Sequence, residues 1–361
     1  MEKWIKHISG TIPYTNKTID IELNGKNLIV TGANGSGKTS FVRAVWEYID
    51  YCIVNNRPLV NDEQISVTTN KSICFDNNNV FVRLFFEEKR LSEIKQPKTG
   101  QKIDVNHKLG AQLEQHLLNL KMRASFAVTE KPNAELVNDI QKWFDTFEKN
   151  LNILFEDECL SLKLNLEDES PHFQIIQKDK PPFTFQTLSA GYRAIFDIYA
   201  DLLMHTEYFK IMPNELTGVV FIDEIDSHLH VSLQRLILPF FTQSFPKIQF
   251  IVTTHSPFVL MSTPDTVVYD LAKNEPIDED LSYYTYSAVM EGLWDVKPIA
   301  AWVENKIREI GKIINSENKD IPQLKKLIDE MKGREGGLDS ESKAIFLLGK
   351  QTLLKEERKN V

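Results

Sequence analysis

The chain is poor in the features that would tie it to an oxidising compartment, a membrane or a polyanion. Only three of its 361 residues are cysteines, Cys52, Cys74 and Cys159, and none is spaced for pairing. That usage excludes a disulfide framework and a cysteine-based zinc site, and it suits a reducing cytoplasm. No apolar run approaches the ~18 residues that a membrane helix needs, so no membrane partner is expected. Met1 to Gly10 lacks an apolar stretch of signal-peptide length. Positive charge is in deficit: 42 lysines and arginines against 51 acidic residues leave a net charge of −9. Bulk charge therefore disfavours nucleic-acid binding, although a local basic groove stays open. Sustained heptads are missing, which excludes a long coiled coil, and there is no internal repeat. What is present is ordinary for a globular cytoplasmic protein, at 42% hydrophobic and 26% charged residues.

One stretch is dense with chemistry: Gly32-Ala33-Asn34-Gly35-Ser36-Gly37-Lys38-Thr39, followed by Ser40. It fits G-x-x-x-x-G-K-[ST], the phosphate-cradling P-loop, or Walker A motif. The apolar run Leu28-Ile29-Val30 before it predicts a buried strand. Phe41, Val42, Val45 and Trp46 after it fall at helical spacing. Strand, glycine loop, helix is the order the chemistry needs. Glycines let backbone N–H groups close around phosphate oxygens, and the helix N-terminus adds a favourable dipole. In this reading Lys38 reaches the β- and γ-phosphates and Thr39 gives its hydroxyl to Mg²⁺.

Three further stretches follow in order. Val219-Val220-Phe221-Ile222-Asp223-Glu224 is an apolar strand ending in two carboxylates, the Walker B pattern. There Asp223 is placed to hold Mg²⁺ and Glu224 to orient and deprotonate an attacking water. Upstream, Leu188-Ser189-Ala190-Gly191-Tyr192 precedes a predicted helix, Arg193 to His205, with Ser189 as its N-cap. Downstream, Phe250-Ile251-Val252-Thr253-Thr254-His255 is a strand ending in a histidine, stopped by Ser256-Pro257. Two spellings carry less. Asp278-Glu279-Asp280 reads as an acidic loop, and His228-Leu229-His230 lacks a third metal ligand.

The pattern predicts an α/β fold with a mixed central sheet, flanking helices, a helical insertion and a helical C-terminal tail. Residues 1–90 form a first lobe with the P-loop, 91–150 the insertion, 151–270 the rest of the core, and 271–361 the tail, a partner or dimer contact. Paired strands are expected over Trp4 to Leu23, with Asn24-Gly25 as a turn, and another strand over Val80 to Phe86. Leu160, Leu162, Leu164 and Leu166 alternate as a strand does, and Pro181-Pro182 is expected to end that segment. Trp143, Phe144 and Phe147 repeat at helical spacing. In the tail, Ile307, Ile310, Ile314, Leu324, Leu327 and Ile328 form apolar stripes.

The four motifs in this order resemble the ABC ATPase superfamily, in its SMC/RecF/OLD-like branch. The resemblance implies ATP as the nucleotide and Mg²⁺ as its metal. Gly32, Asn34, Gly35, Ser36, Gly37, Lys38, Thr39 and Ser40 would bind nucleotide, Thr39 and Asp223 the metal, and Glu224 would be the base. Leu188 to Gly191 matches the signature motif, with Ala190 where glycine is common. Ser189 and Gly191 would contact the γ-phosphate held by a second copy, so the sites would be composite and the protein at least a homodimer. Asp226 matches the D-loop crossing that interface, and His255 the switch histidine. Arg57 is similar in place to a phosphate-sensing arginine of SMC heads, though a structural role fits it better. Tyr14 is a candidate adenine-stacking aromatic. No Q-loop glutamine is evident. Thr254-His255-Ser256-Pro257-Phe258 looks more like OLD-type and defence-associated ATPases than like transporter subunits. The short insertion and the tail, in particular Gly292-Leu293-Trp294-Asp295-Val296 followed by charged helices, look similar to ATPase subunits of bacterial anti-phage systems such as Septu, PARIS and some retrons. An associated nuclease or toxin is the partner so implied. The alternative is a DNA-repair or chromosome-handling ATPase that binds DNA in its closed dimer, and a transporter subunit comes third.

Overall fold

The computed structural model describes residues 4–55, 57, 65–69, 81–90, 94–98, 102–103, 108–129, 132–168, 170–296, 299–316 and 318–359. Cys74 lies outside them. The chain divides into two compact units, Met1–Tyr284 and Thr285–Val361.

The first unit is built on a six-stranded sheet. Its order is β12 (Glu275–Ile277), β11 (Thr266–Asp270), β3 (Asn27–Thr31), β10 (Ile248–Thr253), β9 (Thr217–Ile222) and β5 (Phe81–Phe86). All neighbours are parallel except the β11–β12 pair. β3 and β10 are buried at every residue and β9 at all but its first. Central parallel strands are covered on both faces, which is why they read as continuous apolar runs. The polar exception explains itself. Gln249, fully buried in β10, accepts from the Ile5 N–H (2.7 Å) and donates to the Ile5 and Lys26 carbonyls (3.1 and 2.6 Å). It thereby fixes β1 (Ile5–Ile12) to the sheet. Where β5 meets β9 the chains touch at Gly218, whose φ is +153°. A Cβ there would fall 2.0 Å from the Val82 carbonyl oxygen.

A second, antiparallel sheet has the order β2-β1-β4, with β2 (Lys17–Glu22) and β4 (Ile65–Thr69). The β1–β2 pair and its exit at Asn24-Gly25, both at positive φ, are as the sequence predicts. β4 was not visible in the sequence. Helix α1 (Lys38–Val54) lies between this sheet and the six-stranded one. Its Phe41, Val42, Val45 and Ile49 share one core with Ile8, Ile19, Ile21 and Val67 on one side and Val30, Phe221 and Ile251 on the other. The spacing that predicts the helix is thus the spacing that buries it.

Helices α2 (Leu113–Thr129), α3 (Ala134–Phe155), α4 (Ala190–Phe209) and α5 (Val231–Ser244) form a separate layer with an aromatic core. Trp143 stacks on Phe147 (ring centroids 5.4 Å apart) and Phe147 on Tyr199 (6.2 Å), which also meets Phe240. A third sheet, β6 (Ser161–Asn165), β7 (His172–Ile176) and β8 (Phe183–Thr184), is antiparallel. The leucine alternation marks β6. Pro181-Pro182 does not close the segment, because β8 starts immediately after it and pairs with β7. The prolines, which lack an N–H donor, sit in the turn where none is needed. Short α6 (Pro257–Leu260) is capped by Ser256, which accepts from Phe258 and Val259.

The second unit holds α7 (Tyr286–Trp294), α8 (Ala301–Asn315), α9 (Ile321–Met331) and α10 (Ser340–Lys359). Ile307, Ile310, Leu324, Leu327 and Ile328 close on Phe346 and Leu353 as its own core. Among the described residues no helix is long and apolar enough to cross a membrane.

Candidate active site

Parallel strands end on the same edge of their sheet, and loops at that edge collect the functional groups. Here β3 runs into Gly32–Gly37, β9 into Asp223 and Glu224, β10 into Thr254 and His255, β5 into Glu87 and Glu88, and β11 ends in Asp270. Sequence segments more than 200 residues apart thus meet at one place.

The loop has the conformation its glycines allow. Gly32, Gly35 and Gly37 have φ of +137°, +76° and +102°. A Cβ on Gly32 would lie 2.9 Å from both the Ala272 nitrogen and Ser36 Oγ. One on Gly37 would lie 2.6 Å from Thr15 Cγ2, in the β1–β2 turn that also carries the fully exposed Tyr14. Lys38 opens α1, buried, with Nζ donating to the carbonyls of Gly32 (3.0 Å) and Ala33 (3.3 Å). Burial pulls its pKa below the ordinary 10.5, opposed by Glu224, Asp223, Asp226 and Asp270. Thr39 and Asn34 are exposed and Ser40 is half-buried.

The carboxylates are held by two neighbouring threonines. The Thr253 hydroxyl donates to Asp223 Oδ1 (2.6 Å) and accepts from the Glu224 N–H (2.7 Å). The Thr253 carbonyl accepts from the Ile225 N–H (3.0 Å). Thr254 Oγ1 donates to Asp226 Oδ1 (2.5 Å). Asp223 is buried, its N–H on the Phe86 carbonyl (2.9 Å). Glu224 itself has φ +46°. Burial raises its pKa above 4.5, reinforced by Glu88, Asp223 and Asp226. His255 is half-buried and held below 6.5, by burial and then by Lys38. At neutral pH it is an uncharged imidazole.

Ser189 occupies the N-cap position of α4 but makes no capping hydrogen bond with its side chain, and it is exposed. The helix begins at Ala190, three residues before the predicted Arg193. Gly191 is therefore inside the first turn, where a Cβ would stand 3.1 Å from the His228 carbonyl. Its small size lets α4 pack on the turn after β9. Arg57 lies over the Tyr51 ring, 5.4 Å from its centroid. His230 caps α5 by accepting from the Ser232 N–H, and Asp280 accepts from the Ser282 N–H.

This set of groups suits a nucleotide polyphosphate with a hard divalent cation. Three left-handed glycines and a helix N-terminus present N–H donors to an anion. Lys38 supplies the charge, and Ser36 Oγ is buried without a hydrogen-bond partner. Thr39 and Asp223 offer the oxygen ligands that Mg²⁺ prefers. Sequence reasoning did not find Thr253, Glu88 or the buried Arg90, whose guanidinium meets the Asp223–Ile225 backbone. The threonine pair before His255 was the one available hint.

A region of 88 residues is 41% identical to the retron Ec83 probable ATPase of Escherichia coli, covering 24% of this chain and 16% of that protein. A region of 115 residues is 32% identical to the Septu protein PtuA of Bacillus thuringiensis, covering 30% and 28%. The chain thus spans less than a third of the length of these relatives. Among solved structures, the SMC head domain from Thermotoga maritima aligns over 77% of this chain and all of that one, at 12% identity and TM-score 0.40. The family model described as "AAA domain, putative AbiEii toxin, Type IV TA system" matches residues 76–262, which include Ser189, Gly191, Asp223, Glu224 and His255. That match takes in more than half of the 361 residues, and the chain belongs to this AAA domain family.

Proposed function

We infer that this protein is an ATPase that binds and hydrolyses ATP at composite sites between two copies, and that its nucleotide state gates an associated nuclease or toxin in anti-phage defence. One observation carries the reading. Asp223 and Glu224 are fixed at the end of β9 within the electrostatic field of Lys38, across the sheet edge from the glycine loop.

The residues divide the work. Backbone N–H groups of Gly35 to Ser40 and the Lys38 ammonium would bind and neutralise the phosphates. Thr39 and Asp223 would hold Mg²⁺, which when bound shields phosphate charge. Glu224 would take the proton from the attacking water, and its raised pKa brings it closer to the working pH of a general base. Neutral His255 would donate a hydrogen bond toward the terminal phosphate. Ser189, exposed and without a cap bond, would be available to a phosphate on a second copy, and Asp226, held by Thr254, would lie at that interface. The retron and Septu relatives support the defence role. The test is Glu224→Gln. It should keep nucleotide binding, lose phosphate release by at least ~100-fold, and accumulate an ATP-dependent dimer in sedimentation. Hydrolysis at the parental rate would overturn the assignment.

A further inference from the structure

Arg90, just beyond β5, takes no part in the chemistry above, yet it is 6% exposed. Among the described residues its guanidinium hydrogen-bonds no carboxylate; it is given to main-chain carbonyls. Nη2 donates to Glu224 O (2.6 Å) and Asp223 O (2.8 Å), Nη1 to Ile225 O (3.4 Å), and Nε to Glu87 O (3.3 Å). Three successive carbonyls therefore converge on one cation, and the middle one belongs to the residue at φ +46°. A left-handed backbone at a residue other than glycine is strained and persists where its surroundings enforce it.

The charge survives burial. Desolvation brings the pKa down to about 10, opposed by Asp197, Asp226, Asp223 and Glu224, so the group stays protonated at neutral pH. Asp197 is the foremost of these partners. It sits on α4, buried, paired with Lys108 Nζ at 2.6 Å. The same cation thus hydrogen-bonds the Walker B turn and lies in the field of a carboxylate on α4.

We propose that Arg90 is the positioning residue of the general base: its guanidinium, donating to the carbonyls of Asp223, Glu224 and Ile225, holds the left-handed turn that presents Glu224. This rests on the ATPase reading of the site. A planar fork with five N–H donors suits several carbonyls at once, whereas an ammonium offers three donors at a single point. Arg90→Lys keeps the charge and loses the fork, so it separates positioning from mere charge balance.

The experiment compares full-length parent, Arg90→Lys, Glu224→Gln and the double variant. ATP turnover, binding of a fluorescent ATP analogue and thermal melting are measured on each. For Arg90→Lys a kcat lower by ~10- to 100-fold is expected, with analogue affinity within about threefold of the parent. The double variant should be no slower than Glu224→Gln alone, since residues acting as a unit are not additive. Arg90→Lys turning over at the parental rate overturns the proposal and leaves the ATPase reading intact. Equal loss of affinity and turnover with a collapsed melting transition also overturns it, because that is the mark of a structural role. A parent that binds the analogue and hydrolyses nothing removes the ATPase reading, and this proposal with it.

Discussion

Thr253→Val tests how the carboxylate pair is held. The side chain is fully buried at the end of β10, and valine matches its shape while removing the hydroxyl. Two interactions go with that oxygen: the 2.6 Å donation to Asp223 and the 2.7 Å acceptance from the Glu224 N–H. A hydrogen bond to a charged group contributes ~1.5–3 kcal/mol, and a polar group stranded without a partner costs ~1–3 kcal/mol. Allowing for partial relaxation, the loss should be about 2–4 kcal/mol. For a unit of this size that corresponds to a melting temperature lower by roughly 3–7 °C. Urea denaturation should show a lower midpoint at unchanged slope. Turnover should fall by ~10-fold or more, since Glu224 loses a backbone anchor. Thr253→Ser keeps the hydroxyl and should retain most of both. A Thr253→Val protein with parental melting and parental turnover would refute the account of how Asp223 and Glu224 are held.

Further expectations follow from the same geometry. The pKa of Glu224 is raised, so its base form disappears as pH falls through that raised value, and the acid limb of kcat/KM should lie above 4.5. Glu88→Gln removes a charge that raises it and should move the limb to lower pH; a limb that stays put refutes the electrostatic assignment. The lowered pKa of His255 favours the neutral ring in the folded protein. Its contribution to stability is therefore fully present above the unfolded-state value of 6.5 and lost as pH falls from there through the lower folded value, and its NMR titration midpoint should fall below 6.5. Gly218→Ala should cost more than ~3 kcal/mol, because its Cβ would overlap the Val82 carbonyl and break the β5–β9 pairing. Soluble, parentally stable Gly218→Ala protein would contradict that contact.

What could be read from the sequence depended on how local the determinant was. The glycine loop, the Asp223-Glu224 pair and His255 were legible because each is a short motif at the end of an apolar strand. The stripes Ile307/Ile310 and Leu324/Leu327 gave the helices of the second unit for the same reason: helical burial repeats within a few residues. β4 is short and gains its order from pairing with the distant β1, so no local pattern announces it, whereas β7 and β12 pair with the strands just before them, β6 and β11, and carry no clear alternation of their own. Arg90 was invisible for a related reason. Its partners are carbonyls more than 130 positions away, and a carbonyl has no letter in the sequence. Ser189 shows the reverse error. Its residue type suits a cap and it stands at the cap position, but the expected bond is not made.

The pairing order of the six-stranded sheet also fixes a sequence of events during synthesis. The strand that leads into the glycine loop, β3, finds its two neighbours only in β10 and β11, which emerge from the ribosome more than 200 residues later. Until then the loop has a strand behind it with both edges unpaired. Long-range parallel pairing of this kind is slow and exposes sticky edges meanwhile. A nascent chain therefore holds every residue of its Walker A motif early, and gains the sheet edge that frames them only when β10 and β11 have been made.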